Sequence, residues 1–327
     1  MSQPGVGDVH VNRLLSNVSE AYKNTTYIVS AVIPPLFVAK QSDLIATYPK
    51  SFWARSVAKK TNPMEPAPIG GYEVDYKPYF CEERSVGDVL PDALYANEDP
   101  PFDARADSSE WVADQLELEQ EISFLADYWK AGVWGEDKTG GADFVKWSDY
   151  ALSNPLQDME MWQRDVKIKL LGRKPNTAIF GDLTFALLKN HPQLLERVKY
   201  SGSQAAPAMV TKNLIAQLME LDRVEVGEVV YTTSPEGTGE DDVVYQAGYD
   251  DDAWLGYIAP RPGRKTPTAL TVIYWQTLYG GRRFIRQRRE PLSDKGWLIE
   301  GFTHYQIYGM SPDAGLFITD AVDEPTP

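Results

Sequence analysis

Three histidines, His10, His191 and His304, are the first residues to test for chemistry. They lie far apart, and none stands in a metal-ligand spacing such as H-E-x-x-H. His191 falls in a helix break, where an imidazole caps or packs. The phosphate-binding glycine loops and the G-x-S-x-G nucleophile turn are missing from the sequence. Carboxylates are plentiful. "EDD" (240–242) and "DDD" (250–252) invite a calcium reading, but neither has the alternating ligands of an EF-hand loop. Solvated loop charge is the simpler reading. A paired-carboxylate hydrolase can be drawn from any long acidic chain. "RRFIRQRRE" (282–290) sets Arg282, Arg283, Arg286, Arg288 and Arg289 within nine residues. Such a run could touch phosphates. It could equally pair with acidic surfaces of the same or a neighbouring subunit, and the chain's acidity favours pairing. No residue is assigned a catalytic, cofactor-binding or metal-binding role.

The elements around these residues say more. The 327 residues suffice for one substantial core or two modest ones. Nine Trp and 18 Tyr supply large surfaces for cores and for protein–protein contacts. The formal net charge of −15 argues against a phosphate-neutralising nucleic-acid binder. Cys81 is the only cysteine, so no intramolecular disulfide forms and a reducing compartment fits. "MSQPGVGDVHVNRLLS" lacks the basic start and apolar stretch of a signal peptide. "YIVSAVIPPLFVA" (27–39) is too short to span a bilayer and is broken by Pro34 and Pro35. The expectation is a soluble protein made in a cytoplasm, without a membrane partner.

Residues 1–45 carry Val9, Val11, Leu14 and Leu15 without a sustained period, which suits an extended arm. Residues 50–85 predict a long hairpin. "SFWARSVAKK" leads in and "GYEVDYKPYF" leads out, with Tyr72, Val74 and Tyr76 alternating with Glu73, Asp75 and Lys77. The tip "TNPMEPAPIGG" holds three prolines and two glycines and cannot be regular. A ribbon without a local core needs a partner. The spacing then predicts one helix over 107–131. Asp107 and Glu110 resemble a capping box. Leu118, Ile122, Leu125 and Trp129 recur at helical spacing, Trp111 lies seven residues before Leu118, and Gly132 suits a stop. Glu110, Asp114, Glu117 and Glu121 form an acidic stripe. The rod is roughly 37 Å long at 1.5 Å per residue.

The Gly-rich, aromatic 132–150 reads as a loop. A helix is expected over 155–174, with Met159, Trp162, Val166, Lys169 and Leu170 on one face. "PNTAIFGDLTFALLKNHPQLLERVKYSG" (175–202) predicts a strand over 177–180 and a turn at Gly181. Asp182 then caps a helix over 183–190, and a second helix starts at Pro192. A helix over 211–221 and a strand over 223–233 complete a compact α/β unit. Strands over 268–275, 295–309 and 314–322 close the chain.

In this order the parts resemble the major capsid proteins of tailed bacteriophages, which have the Hong Kong 97 fold. "VADQLELEQEISFLADYW" (112–129) looks like the family's spine helix. "NPLQDMEMWQRDVKIKLLGRKPNTAIFGDLTFALLKNHPQLLERVKYSG" (154–202) looks like the lead-in to its A-domain. "LIAQLMELDRVEVGEVVY" (214–231) is similar to the next helix and strand of that domain. The resemblance implies an α+β fold with an N-terminal arm (1–45) and an E-loop hairpin (46–85). A P-domain (86–154) containing the spine helix comes next, then an α/β A-domain (155–279) and return strands of the P-domain (280–327).

It also implies a structural protein and not an enzyme, with no cofactor and no metal. Such a protein self-assembles through hexamers and pentamers into the icosahedral shell of a virion. The shell is built in the host cytoplasm and holds double-stranded DNA by enclosure. A portal protein belongs to such a shell. Because the arm begins close to Met1, a separate scaffolding protein is expected. Candidate inter-subunit contacts on the E-loop are Trp53, Arg55, Lys59, Lys60, Tyr72, Glu73, Asp75 and Tyr76. The spine core falls to Leu118, Ile122, Leu125 and Trp129, the first three facing the P-domain sheet. Some relatives cross-link through an E-loop lysine. Lys59 and Lys60 lie in the hairpin, but no partner asparagine or catalytic glutamate is identifiable, so cross-linking is not expected. An encapsulin-type nanocompartment shell shares the fold, although its members line the interior with an N-terminal helix. A carboxylate-based hydrolase is the reading from another class.

Overall fold

The computed structural model describes residues 27–50, 54–97, 103–201, 210–235, 237–239, 242–263, 266–276, 281–291 and 295–324. His10, Trp53 and the expected arm residues Val9, Val11, Leu14 and Leu15 lie outside them. In chain order the elements begin with α1 (Ile28–Val32), β1 (Pro35–Val38), β2 (Ser42–Thr47), β3 (Asp75–Phe80), β4 (Glu82–Pro91) and α2 (Asp92–Ala96). The middle of the chain forms α3 (Ala104–Tyr128), β5 (Asp137–Thr139), α4 (Pro155–Lys169), β6 (Thr177–Gly181), α5 (Asp182–Lys189), α6 (Pro192–Ser201) and α7 (Lys212–Leu218). Strands dominate the rest: β7 (Arg223–Gly227), β8 (Val230–Thr232), β9 (Tyr245–Ala247), β10 (Ala253–Gly256), β11 (Leu270–Trp275), β12 (Phe284–Arg289), β13 (Gly296–Gly309) and β14 (Gly315–Thr319).

Two five-stranded sheets organise these elements. The first has the order β1-β11-β13-β12, with β4 on the other edge of β13. At 14 residues, β13 is long enough to pair with β11 at its C-terminal end and β12 at its N-terminal end. β4 runs antiparallel along its opposite edge. The second sheet has the order β5-β14-β10-β6-β7. β6 and β10 are buried at every residue, so "TAIFG" and "AWLG" show no alternation.

Pairing redraws the expected divisions. The sequence grouped 268–275 with 155–279 and 314–322 with the return strands. In the structure β11 pairs with β13 in the first sheet, and β14 lies between β5 and β10 in the second. Buried strands look alike to a local pattern, whichever sheet receives them. β1, from the expected arm, joins the first sheet parallel to β11. β4 reads as no strand in sequence, yet it is that sheet's edge. The strand expected over 223–233 divides into β7 and β8, and β8 forms a separate ribbon with β9.

The spine helix α3 starts at Ala104, three residues before the expected start. Asp103 caps it by accepting from the backbone N–H groups of Arg105 and Ala106. It ends at Tyr128, and Gly132, with φ of +84°, lies beyond the end. The stripe turned toward the first sheet also differs from the expected one. Val112, Leu116, Gln120 and Phe124 are buried, and a Cβ at Gly301 of β13 would collide with Val112 and Leu116. Leu118 and Ile122 are half-buried. Leu125 is buried but packs toward Gly248, where a Cβ would sit 2.6 Å from its Cδ1. Trp129 reaches the second sheet, edge-on to Phe317 of β14 at 5.2 Å and to Tyr249 at 4.7 Å. A helix clasped on more than one side buries more than one stripe, so helical spacing alone does not say which stripe meets which partner. Leu125→Ala is therefore expected to cost about 2–5 kcal/mol, and Ile122→Ala clearly less. Denaturant midpoints of the two variants check this; equal midpoints would mean that Leu125 is no more buried than Ile122.

Candidate inter-subunit surfaces

A hairpin exists, but with a different first strand from the expected 51–60. Its paired part is β2 with β3, running from Ser42 opposite Phe80 to Thr47 opposite Asp75. Neither the 54–60 segment nor Tyr72, Glu73 and Val74 forms a strand. The ribbon's root is held by Tyr79 and Cys81, which share a small core with Ile273 and Tyr308. The Phe80 N–H also donates to Gln306 Oε1 of β13 at 2.9 Å.

Beyond the root the ribbon is bare. Along one face Leu44, Tyr76 and Phe80 are 57%, 63% and 52% exposed. In the loop Met64 and Ile69 are 97% and 98% exposed. Arg55, Lys59, Lys60, Tyr72, Glu73 and Asp75 are all exposed. Tyr72 leans on Tyr48, with ring centroids 6.1 Å apart. Seven of the eight candidate contact residues are thus exposed, and Trp53 lies outside the described residues.

A second constellation has no local signature in the sequence. Glu121, a member of the acidic stripe, is fully buried. Its Oε1 accepts from the Ile28 N–H at 2.8 Å and its Oε2 from the Val29 N–H at 2.9 Å, and the Tyr249 hydroxyl also donates to Oε1. Tyr27 donates to Asp114, one helical heptad earlier, at 2.9 Å. Arg223 closes the far end of α1 by donating to the Ala31 carbonyl at 2.6 Å. Burial pushes the Glu121 carboxyl up, against the hydrogen bonds from Tyr249, Val29 and Ile28. One side chain thereby joins the spine, the short helix α1, and the 249 turn beside the second sheet.

No family model matches the chain. The major capsid protein of Burkholderia phage BcepMu is 24% identical over 320 residues, spanning 94% of this chain and 96% of the relative. The major capsid protein of Pseudomonas phage JBD67 is 25% identical over 227 residues, 65% of this chain and 67% of the relative. Along nearly its whole length the chain is similar to phage major capsid proteins. Solved structures agree on the fold. A phage-related protein from Bordetella bronchiseptica has a TM-score of 0.68 at 20% identity, covering 95% of this chain and 97% of its own. The capsid structure of cyanophage P-SCSP1u gives 0.61 at 10% identity, over 98% and 96%. An encapsulin from Synechococcus elongatus gives 0.52 at 8% identity, over 97% and 98%. The chain has the Hong Kong 97-like fold of these capsid structures.

Within this fold the basic run is committed inside the subunit. Arg286 and Arg288 both pair with Glu300 at 2.8 Å, Arg289 with Asp92 at 2.6 Å, and Arg283 with Glu117 at 2.6 Å. The Arg282 guanidinium lies over the Tyr274 ring at 5.4 Å. The two histidines within the described residues are also structural. Ser153 Oγ donates to the Asp149 carbonyl, so His191 Nε2–H donates to Ser153 Oγ at 3.0 Å, and His191 Nδ1 accepts from the Gln193 N–H. His304 lies against Trp275 and meets Glu83 at 3.1 Å. Cys81 is buried, and burial pushes its thiol up to about 11. Among the described residues no helix is long and apolar enough to cross a membrane.

The "DDD" turn is more than solvated charge. A Cβ at Gly181 would sit 1.9 Å from the Asp250 carbonyl oxygen, so glycine there is required by this close approach. Asp252 Oδ1 accepts from the Asp320 N–H at 3.0 Å. Burial, then the charges of Asp251, Asp250 and Asp320, push its carboxyl up to about 7. A raised folded-state value contributes stability fully present below the ordinary value of 3.8 and lost as pH rises through about 7. Asp252→Asn is therefore expected to raise the melting temperature at pH 8 and to leave it nearly unchanged at pH 4. Calorimetry at the two pH values checks this; an equal shift at both would remove the titration.

Proposed function

We propose that this chain is a capsid protein that assembles through hexamers and pentamers into an icosahedral shell that encloses phage double-stranded DNA. The observation that carries the proposal is the bare β2–β3 ribbon. A two-stranded ribbon with an uncovered apolar face is marginal alone, and a neighbouring subunit supplies the missing layer. In this reading the ribbon and its loop are the E-loop, and Arg55, Lys59, Lys60, Tyr72, Glu73, Asp75 and Tyr76, with Trp53, make the contact. The first sheet and α3 form the P-domain, and the second sheet with α4 to α7 forms the A-domain. The role is structural and not enzymatic. The DNA is held by enclosure, consistent with the net charge of −15 and with the internal pairing of the arginine run. A separate scaffolding protein and a portal protein complete assembly, which takes place in the host cytoplasm.

A shell subunit should bury interface well beyond the roughly 1,600 Å² of a standard complex. Expressed alone or with its scaffold, it forms capsomers or shells visible by negative-stain imaging. A strictly monomeric species by light scattering, at high concentration and with scaffold present, would overturn the proposal. An encapsulin-type compartment shares the fold; particles filled with an enzyme instead of DNA would establish that reading.

A further inference from the structure

The helix α4 is apolar on two opposite sides. Met159, Trp162 and Val166 point into the core. Met161 and Ile168, two turns apart, lie on the side away from them and are 56% and 64% exposed. Leu171, just past the helix end, extends the stripe at 49% exposed. Exposed Arg164 and Lys167 flank it. Their neighbours Lys169 and Lys174 are paired with Glu136 and Glu220 inside the subunit. Among the described residues, Arg164 and Lys167 make no ion pair. A helix with a covered apolar face needs no second one, so this outer face has the composition of an interface.

The same chain carries a surface of the opposite character. Residues 141–146, Asp149 and Asp323 line an open groove. Phe144 and Val145 supply its apolar part, Val145 being 43% exposed, and Asp143, Asp149 and Asp323 supply carboxylates. Its one lysine, Lys146, is engaged by Asp320 and Asp323 at 2.6 and 2.9 Å. The groove therefore has an apolar floor and a net acidic rim.

We infer that the outer face of α4 seats in the 141–149 groove of a neighbouring copy, Met161 and Ile168 against Val145 and Phe144, and Arg164 and Lys167 against the acidic rim. The inference rests on the shell reading and names one of its contacts. A second copy is the occupant because the chain forms shells and itself supplies both complementary surfaces. Such a contact joins different patches on the two copies, so it propagates head to tail from copy to copy.

Buried Cys81 leaves room for a selective test. Particles co-assembled from Met161→Cys chains and Val145→Cys chains are oxidised and run on a non-reducing gel. Covalent dimers are expected from the mixture and from neither variant alone. Unsubstituted particles and dissociated subunits are treated with peroxide in parallel, and Met161 sulfoxide is read by peptide mass spectrometry. Met161 is expected to be oxidised in free subunits and protected in particles, a readout that stands even where the cysteine variants fail to assemble. Equal oxidation in both states overturns the contact. Protection without mixed dimers assigns the face to another occupant, and dimers from Met161→Cys alone assign it to a twofold self-contact; either overturns the groove. If the unsubstituted chain forms no particles, the shell reading falls as well, whereas particles lacking both signals defeat this contact alone.

Discussion

Replacing residues 61–71 with a short Gly/Ser turn leaves a folded subunit that no longer closes normal shells. Every residue removed is exposed, so no core atom is lost. The ribbon's root, built on Tyr79 and Cys81 with Ile273 and Tyr308, stays intact. The loss falls on the lattice. Met64 and Ile69 are almost fully exposed in the subunit. Burying each against a neighbour is worth roughly 1.5–3 kcal/mol, repeated at every subunit of a shell. The neighbouring cations Lys59 and Lys60 remain, so any residual assembly becomes salt-sensitive. Circular dichroism and electron microscopy on one preparation decide the matter. Normal shells from the shortened protein would sink the E-loop assignment, and global unfolding would mean that the loop belongs to the subunit's own core.

The largest expected effect on stability comes from Glu121→Ala. The change strands three donors in the interior: the Ile28 and Val29 N–H groups and the Tyr249 hydroxyl. A buried donor left without its partner costs about 1–3 kcal/mol. A loss of about 3 kcal/mol or more is therefore expected, together with faster amide exchange across α1. Glu121→Gln keeps one acceptor oxygen but turns an amide NH₂ toward a donor, so its cost is intermediate. The pH dependence has a definite sign. The Glu121 carboxyl is raised in the folded state, chiefly by burial. Its contribution is full below the ordinary value of 4.5 and is lost as pH rises through the folded value. The natural chain should therefore gain stability relative to Glu121→Gln as the pH is lowered toward 4.5. A gain in the opposite direction, or unchanged exchange at Ile28 and Val29 in Glu121→Ala, would show that the clamp does not hold α1.

Local elements were legible in the sequence wherever period and capping agreed. The helix 107–131 was legible within three residues at each end from its apolar repeats, although the acid that caps α3 is Asp103 and not the expected Asp107. The strand–helix–helix of 175–202 was legible from its apolar strand and from Pro192, which opens α6; Asp182, the expected cap, is instead the first residue of α5, and no side chain caps that helix. The long alternation of 295–309 marked β13, and Tyr72 and Tyr76 pointed to an exposed ribbon, though not to its partner strand. β2 escaped notice because "SDLIAT" carries no turn signal near its true partner, from which 27 residues separate it in sequence. α4 was legible on its inner face alone; its outer Met161 and Ile168 break the amphipathic pattern.

By itself, then, the sequence determined the long helices, the strands β6 and β13, and that the chain is acidic. These are properties of neighbours along the chain, set by backbone preference and by periods of 2 and 3.6 residues. Only the tertiary structure decided that β11 and β14 exchange the sheets expected for them, that Val112 and Leu116 pack on Gly301 of β13 while Leu118 and Ile122 stay half-buried, and that Glu121 is buried as a clamp and not solvated. Each depends on which distant segment arrives at a given face. A carboxylate seven residues from Asp114 looks the same in sequence whether water or the N–H groups of Ile28 and Val29 surround it, and only the docking of α1 against α3 removes the water.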